Sequence, residues 1–224
     1  MKILAVETSG LEASVALADG SELLSERALD TAGRRNARLL VPAVDELLRK
    51  QDWQPSDVDV VAVSIGPGSF TGLRVGVVFA KTYAWINDTK LVAVDTLQAI
   101  AQRSLPTEPD ITVISDAQRG DLFVNSYHAE DIAQPIGNVR IESLDQVLAE
   151  YSGQLLTGPG IQKFAEQIPP DACIAEAENQ EPRAAALLLP ACDMIQRQAW
   201  ADPDTLEPVY LRRSYAEESA DRSS

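Results

Sequence analysis

Histidine occurs once in the 224 residues, cysteine twice, and aromatic side chains make up only 5%. A single histidine, His128, excludes any site built from two imidazoles, whether a zinc centre or a proton relay. Cys173 and Cys192 make no Cys-x-x-Cys pair and no disulfide framework, which points to a reducing compartment. Positive charge is scarce too: 19 Lys and Arg face 34 Asp and Glu, a formal charge of −15. Phosphate neutralisation by Lys and Arg dominates nucleic-acid affinity, so unaided binding to a polyanion is disfavoured. No apolar run approaches the ~20 residues of a membrane helix. The opening stretch meets an acid at Glu7, too soon for a secretory leader. These absences predict a cytoplasmic protein without membrane contact. What is present is apolar material, 45% of residues, enough for one large domain or two small lobes.

Residues 2–7 and 13–18 are short extended runs parted by Thr8-Ser9-Gly10. Asp19-Gly20 signals a hairpin into a third strand over 21–29, so the chain opens as an antiparallel meander. A helix follows at 34–51, where Leu39, Leu40, Ala43, Val44, Leu47 and Leu48 form an apolar stripe. Residues 58–65, nearly continuous in β-branched side chains, read as a parallel strand buried on both faces. A glycine segment leads from it into a helix over 72–86, then a strand at 91–94 and a helix at 96–104. Together these make one α/β lobe, 1–105. Pro106 and Pro109 mark a linker. The pattern then restarts in a smaller lobe, 106–181, with strands at 111–115, 121–128 and 136–142, a helix at 143–151, a strand at 154–157 and a helix at 161–167. Repetition of element order implies a duplicated fold with a reduced second lobe. Residues 182–198 read as a helix broken near Pro190 and 206–212 as extended, with 182–212 joining the first lobe and 213–224 a frayed tail.

Chemistry-bearing candidates are few. The segment Gly66-Pro67-Gly68-Ser69-Phe70-Thr71-Gly72-Leu73-Arg74 lies between a strand and a helix, where backbone N–H groups can hold an anion. Its spacing fits neither phosphate fingerprint: a dinucleotide loop needs glycine where Thr71 stands, and a P-loop needs lysine after Gly72. A tight strand-to-helix turn, capped by Ser69 or Thr71, is the favoured reading of its spacing. Glu7-Thr8-Ser9 ends the first strand, where it could face a nucleotide cleft, though a polar turn with local hydrogen bonds is the favoured reading. Asp116-Ala117-Gln118-Arg119-Gly120-Asp121 could hold Mg²⁺ or substrate, though a charged hairpin is the commoner meaning. His128, without a second histidine or a nucleophile beside it, reads as a strand-end residue. The helix over 72–86 is apolar almost all round, so it is buried on more than one side: inside a helix sandwich or against another subunit.

Several segments stand in the order seen in one family. They are Val6-Glu7-Thr8-Ser9 with Ser14-Val15-Ala16-Leu17, GPGSFTGLRVG at 66–76, Val94-Asp95-Thr96-Leu97, Asp116–Phe123, Gly158-Pro159-Gly160 and Glu207-Pro208-Val209-Tyr210-Leu211-Arg212. Over essentially its whole length the chain resembles the TsaB (YeaZ) family of bacterial tRNA threonylcarbamoyladenosine biosynthesis proteins. The resemblance implies an α/β, two-lobed actin/Hsp70/sugar-kinase-like (ASKHA) duplicated fold with mixed sheets. It implies a non-catalytic partner of the transferase TsaD in forming threonylcarbamoyladenosine next to the anticodon of tRNAs reading ANN codons. TsaD-like proteins hold a metal with a His-x-x-x-His pair, which His128 alone cannot supply. The implied contacts are a heterodimer with TsaD, the ATPase TsaE in a ternary complex, a homodimer in isolation, and tRNA mainly through partners. The chain is expected to hold no cofactor or metal of its own, with ATP or ADP placed at the complex interface.

The candidate partner interface is Leu39, Leu40, Ala43, Val44 and Leu47 of the first helix with Leu73, Val77, Ala80, Lys81 and Ala84 of the second. Many relatives begin that first helix with His-Ser; here Asn36-Ala37 stands instead. The alternative is an ATP-dependent phosphotransferase or hydrolase using Glu7, Thr8, Ser9 and the glycine loop.

Overall fold

The computed structural model describes residues 1–29, 36–107, 109–151 and 153–212, and only the backbone of residues 36 and 37. The expected tail 213–224, the first residues of the 34–51 helix and the side chains that replace His-Ser lie outside it. The first sheet has the order β3-β2-β1-β4-β5, built from β1 (Lys2–Glu7), β2 (Ser14–Asp19), β3 (Glu22–Ala28), β4 (Val60–Ser64) and β5 (Lys90–Val94). The meander β1-β2-β3 is antiparallel, whereas β4 runs parallel to both β1 and β5.

Successive side chains in a strand point to opposite faces, and here both faces are covered. On one face Leu4, Val6, Val15, Leu17, Val61 and Val63 pack against α1 (Asn36–Lys50) and α2 (Phe70–Asn87). On the other, Ala5, Ala16, Ala18 and Ala62 present little more than methyl groups, so Ala184, Leu187, Leu188 and Ala191 pack directly on the strands. That second layer is a 3-10 turn, Ala184–Leu187, followed by α6 (Leu188–Gln196). The expected helix over 182–198 is therefore corrected. Its break lies at Leu187/Leu188, and Pro190 sits in the first turn of α6, where its missing N–H leaves no hydrogen bond unmade.

The second sheet repeats the plan: β6 (Ile111–Gln118) pairs antiparallel with β7 (Asp121–His128) and parallel with β10 (Leu155–Thr157). The strand expected at 136–142 is instead two short strands on β7, β8 (Asp131–Pro135) and β9 (Arg140–Ser143). Between them Gly137, at φ +132, turns the chain out of an extended path. After β9 come α4 (Leu144–Glu150), β10 and α5 (Gly160–Phe164), matching α1, β4 and α2 in order. The counterpart of β5 shrinks to a single parallel bridge, Leu156 with Ile174.

One helix belongs to both halves. In α3 (Thr96–Arg103), Leu97, Ile100 and Ala101 pack with Ile111, Val113, Phe123 and Tyr127 of the second sheet. Asp95 caps α3 by accepting from Gln98 N–H (2.9 Å) and also accepts from Tyr127 Oη (3.2 Å), with burial pushing its carboxyl upward.

The α1 stripe is part of this interior: Leu40 is 1% exposed and packs with Ala43, Val44, Leu47 and Leu48. Leu40→Ala should cost about 2–5 kcal/mol in denaturant unfolding. Leu40→Asp should prevent folding altogether; a folded, soluble Leu40→Asp chain would contradict this placement.

Candidate functional site: a sealed strand end and an open cleft

Glu7 closes β1, and the turn after it folds back over the carboxylate. Ser9 N–H and Ser9 Oγ–H both donate to Glu7 Oε1 (2.5 Å each), and Glu7 has no exposed surface. Its Oε2 has no hydrogen-bond partner. Burial pushes the Glu7 carboxyl above the usual carboxylate range, against the pull of the Ser9 donors. Thr8, equally buried, donates its hydroxyl to Gly72 O (2.8 Å). Of the three residues expected to face a nucleotide, only Ser9 lines the cleft described below; Glu7 and Thr8 are corrected to internal positions.

The glycine segment explains the sealing. A Cβ on Gly72 would lie 1.9 Å from Thr8 O, and one on Gly76 2.3 Å from Thr8 Oγ1. A Cβ on Gly68 would lie 2.8 Å from Ser9 O, which accepts from Ser69 N–H at 2.8 Å. Ser69 caps α2 by accepting from Gly72 N–H (3.2 Å). Gly66, at φ +117, has Val209 O 2.9 Å from where its Cβ would be, and its N–H donates to Thr96 Oγ1 (3.2 Å). These glycines let a helix, a strand end and a C-terminal segment touch backbone to backbone; they form a packing joint.

Above that joint lies a cleft of about 710 Å³. Ser9, Gly68, Ser69, Phe70 and Thr71 line one side, and Ser115–Arg119 and Lys163 another. Glu181 and Val209–Arg212 complete the lining. Arg74 stacks 3.9 Å over the Phe70 ring and donates from Nε to Tyr210 Oη (3.0 Å). Asp116 accepts from Gln118 N–H and from Lys163 Nζ, both at 2.6 Å, which makes 116–121 a self-bonded charged hairpin. His128 pairs with Asp110 at 3.3 Å on the surface. Among the described residues, no group of three or more His, Cys, Asp or Glu is placed to hold a metal ion, and no helix is long and apolar enough to cross a membrane.

The candidate interface needs correction residue by residue. Leu40, Ala43, Val44, Leu47, Leu73, Val77, Ala80 and Ala84 are all buried within the chain, so they hold the two helices to the sheet. Leu39 is half-buried, and Lys81 donates to Leu206 O (3.0 Å). The outward face of the same helices carries Val41 (59% exposed), Val78 (62%), Trp85 (77%) and Ile86 (76%). The sign that could have found them is their position off the periodic stripe of an otherwise apolar helix. Glu181, Lys163, Tyr210 and Arg212 were also missed as cleft residues, since no local pattern links them.

Two substitutions probe the joint. Gly72→Ala should destabilise by about 1–3 kcal/mol or more in thermal or urea unfolding, because its Cβ meets backbone that cannot yield. Glu7 has a folded-state pKa above the unfolded value of 4.5. Its stabilising contribution is therefore full below that pH and lost as pH rises through the folded value. Glu7→Gln, which keeps the acceptor for Ser9, should raise the melting temperature at pH 8 by a few degrees. The gain should vanish near pH 4.5; an equal shift at both values would show that the carboxyl does not titrate in that window.

A family model described as "TsaD: tRNA N6-adenosine threonylcarbamoyltransferase" matches residues 30–217. The tRNA threonylcarbamoyladenosine biosynthesis protein TsaB of Bacillus subtilis is 30% identical, over 97% of this chain and 96% of its own length. TsaB of Escherichia coli is 26% identical, over 96% of each. YeaZ from Pseudomonas aeruginosa superposes with a TM-score of 0.81 at 24% identity, over 94% of this chain and 99% of that one, and so has the same fold. With a relative 30% identical along nearly the whole length of both proteins, the chain belongs to the TsaB (YeaZ) family.

Proposed function

We propose that the chain is a non-catalytic subunit of the complex that forms N6-threonylcarbamoyladenosine next to the anticodon in tRNAs reading ANN codons. Its task is to pair with and support a TsaD-type transferase. One observation carries the reading: α2 buries its inner side completely yet leaves Trp85 and Ile86 about three-quarters exposed, with Val78 two turns before and Val41 on α1. Large apolar side chains clustered on the outside of a helix pair mark a surface that another protein covers. The sealing of Glu7 supports the non-catalytic half, since a carboxylate without exposed surface cannot touch a substrate. Tryptophan in such a patch commonly dominates binding energy.

The same face serves a second copy of the chain when TsaD is absent, and the ATPase TsaE joins the assembled complex. ATP or ADP belongs to the interface of that complex. With a formal charge of −15, the chain leaves most of the tRNA contact to its partners, and the work is done in the cytoplasm.

Trp85→Ala should weaken binding to purified TsaD by about 2 kcal/mol or more, roughly 30-fold, in titration calorimetry. The melting temperature of the isolated chain should stay within about a degree, because the side chain contributes little to the monomer core. Unchanged affinity would remove α2 from the interface.

A further inference from the structure

The last described stretch, 199–212, is a strap laid over the first sheet and its helices. Ala201 N–H donates to Leu91 O (2.8 Å) and Val209 N–H to Ile65 O (2.7 Å). From α2, Lys81 Nζ donates to Leu206 O (3.0 Å) and Arg74 Nε to Tyr210 Oη (3.0 Å). Each of these anchors sits on β4, β5 or α2, or within a residue of them. Arg212 then reaches away, to the other sheet. Its Nη1 donates to Ala117 O (2.7 Å) and Gln118 O (3.0 Å), and its Nη2 to Asp121 Oδ2 (2.5 Å). One guanidinium fork thus ties a strap fixed on the first sheet to the β6–β7 hairpin of the second.

That hairpin is tied to its own lobe at Asp116, through Gln118 N–H and Lys163 Nζ, but its turn is strained. Gln118 and Arg119 are consecutive non-glycine residues at φ +65 and +58, followed by Gly120 at +89. L side chains adopt this region only at a cost, and such a run persists when the surroundings hold it. Arg212 donates to the two carbonyls that enter this strained turn. The hairpin also walls the cleft, through Asp116, Ala117, Gln118 and Arg119. The other junction between the sheets is of a different kind: Leu97 and Ile100 of α3 are fully buried among Ile111, Val113 and Tyr127. The Arg212 and Asp121 side chains, by contrast, are 24% and 36% exposed, so water can compete for their bonds.

We propose that Arg212 is the latch of a movable wall: the 116–120 hairpin stays against the cleft while Arg212 grips it, and swings away locally when that grip is lost. The apolar α3 junction stays closed throughout and acts as the fixed side. Opening exchanges three charge-assisted bonds for water and relieves the left-handed turn, so closed and open arrangements are close enough in energy for one contact to decide between them. The latch does not depend on which protein covers α2.

Hydrogen exchange of the full chain, read by mass spectrometry, tests this. Arg212→Ala should accelerate exchange in peptides spanning 115–122 roughly 10- to 100-fold, the range expected for lost hydrogen bonds to a charged group. Peptides covering α3 and β1 should exchange as before. Arg212→Lys, which keeps the charge but not the fork, should fall between. Unchanged exchange at 115–122 would show that the hairpin closes by itself. Acceleration spread equally over α3 and both sheets would make Arg212 a general stabilising residue; either result overturns the latch. Should Arg212→Ala not fold, Asp121→Asn supports the same comparison, since it weakens only the carboxylate arm.

Discussion

The structure depends on how closely α2 approaches the end of β1. Thr8 O occupies the space where any Cβ at position 72 would be, and Thr8 Oγ1 the space at position 76. One helical turn separates these positions, so a single face of α2 lies flush on the strand end with no side chain of its own between. Several features follow from that contact. Ser9 is drawn over the Glu7 carboxylate, Ser69 is placed to cap the helix, and Gly66 turns so that Val209 can bond to Ile65. The floor of the cleft is then made of hydroxyls and backbone already engaged with one another.

This arrangement decides what the strand-end acid can do. A carboxylate that acts on a ligand needs at least one oxygen free to reach it. In Glu7 one oxygen takes both donors of Ser9, and the other is enclosed without a partner. A buried carboxyl with an unmatched oxygen favours its protonated form. Glu7 is thus an internal anchor of the turn, and the cleft above it borrows no charge from it. Charge reaches the cleft at the hairpin of the second sheet, where Asp116 is bonded to Lys163 of α5 and Asp121 to Arg212 of the C-terminal strap.

Much of the architecture was legible in the sequence. The Asp-Gly turn and short extended runs gave the meander, and the β-branched run at 58–65 gave the central parallel strand. The repeated order of elements gave the second sheet. Where reading along the chain misled, the reason was physical. Val139 to Ile141 look extended, but Gly137 ends one strand before another begins. The α1 stripe was read as a docking surface, yet a periodic stripe identifies the face a chain buries in itself. A partner-facing surface shows instead as apolar residues off that period, such as Val78 and Trp85. The glycine segment suited an anion cradle and a packing joint alike, and only the distance to Thr8 separates them. The glycine segment and the 116–121 hairpin each stand out in the sequence, but nothing local joins them into one cleft, because its walls come from segments as far apart as Ser9, Asp116 and Arg212.

Every side of α2 is assigned a different neighbour. Val77, Ala80 and Ala84 meet the sheet, Gly72 and Gly76 meet the strand end, and Arg74 and Lys81 hold the strap. The large apolar side chains of its outer stripe, Val78, Trp85 and Ile86, are left to water. A partner seated there, as proposed, would lie across one helix from the core and beside the strap that ends at the hairpin. Any rotation or shift of α2 on docking would move Arg74 and Lys81 with it, and through Tyr210 and Leu206 the register of the strap. Arg212 lies two residues beyond Tyr210, so a small displacement suffices to misalign a fork whose three bonds need simultaneous geometry. The outer helix, the strap and the hairpin are thus joined in sequence by Arg74, Lys81 and a guanidinium that bonds three oxygens.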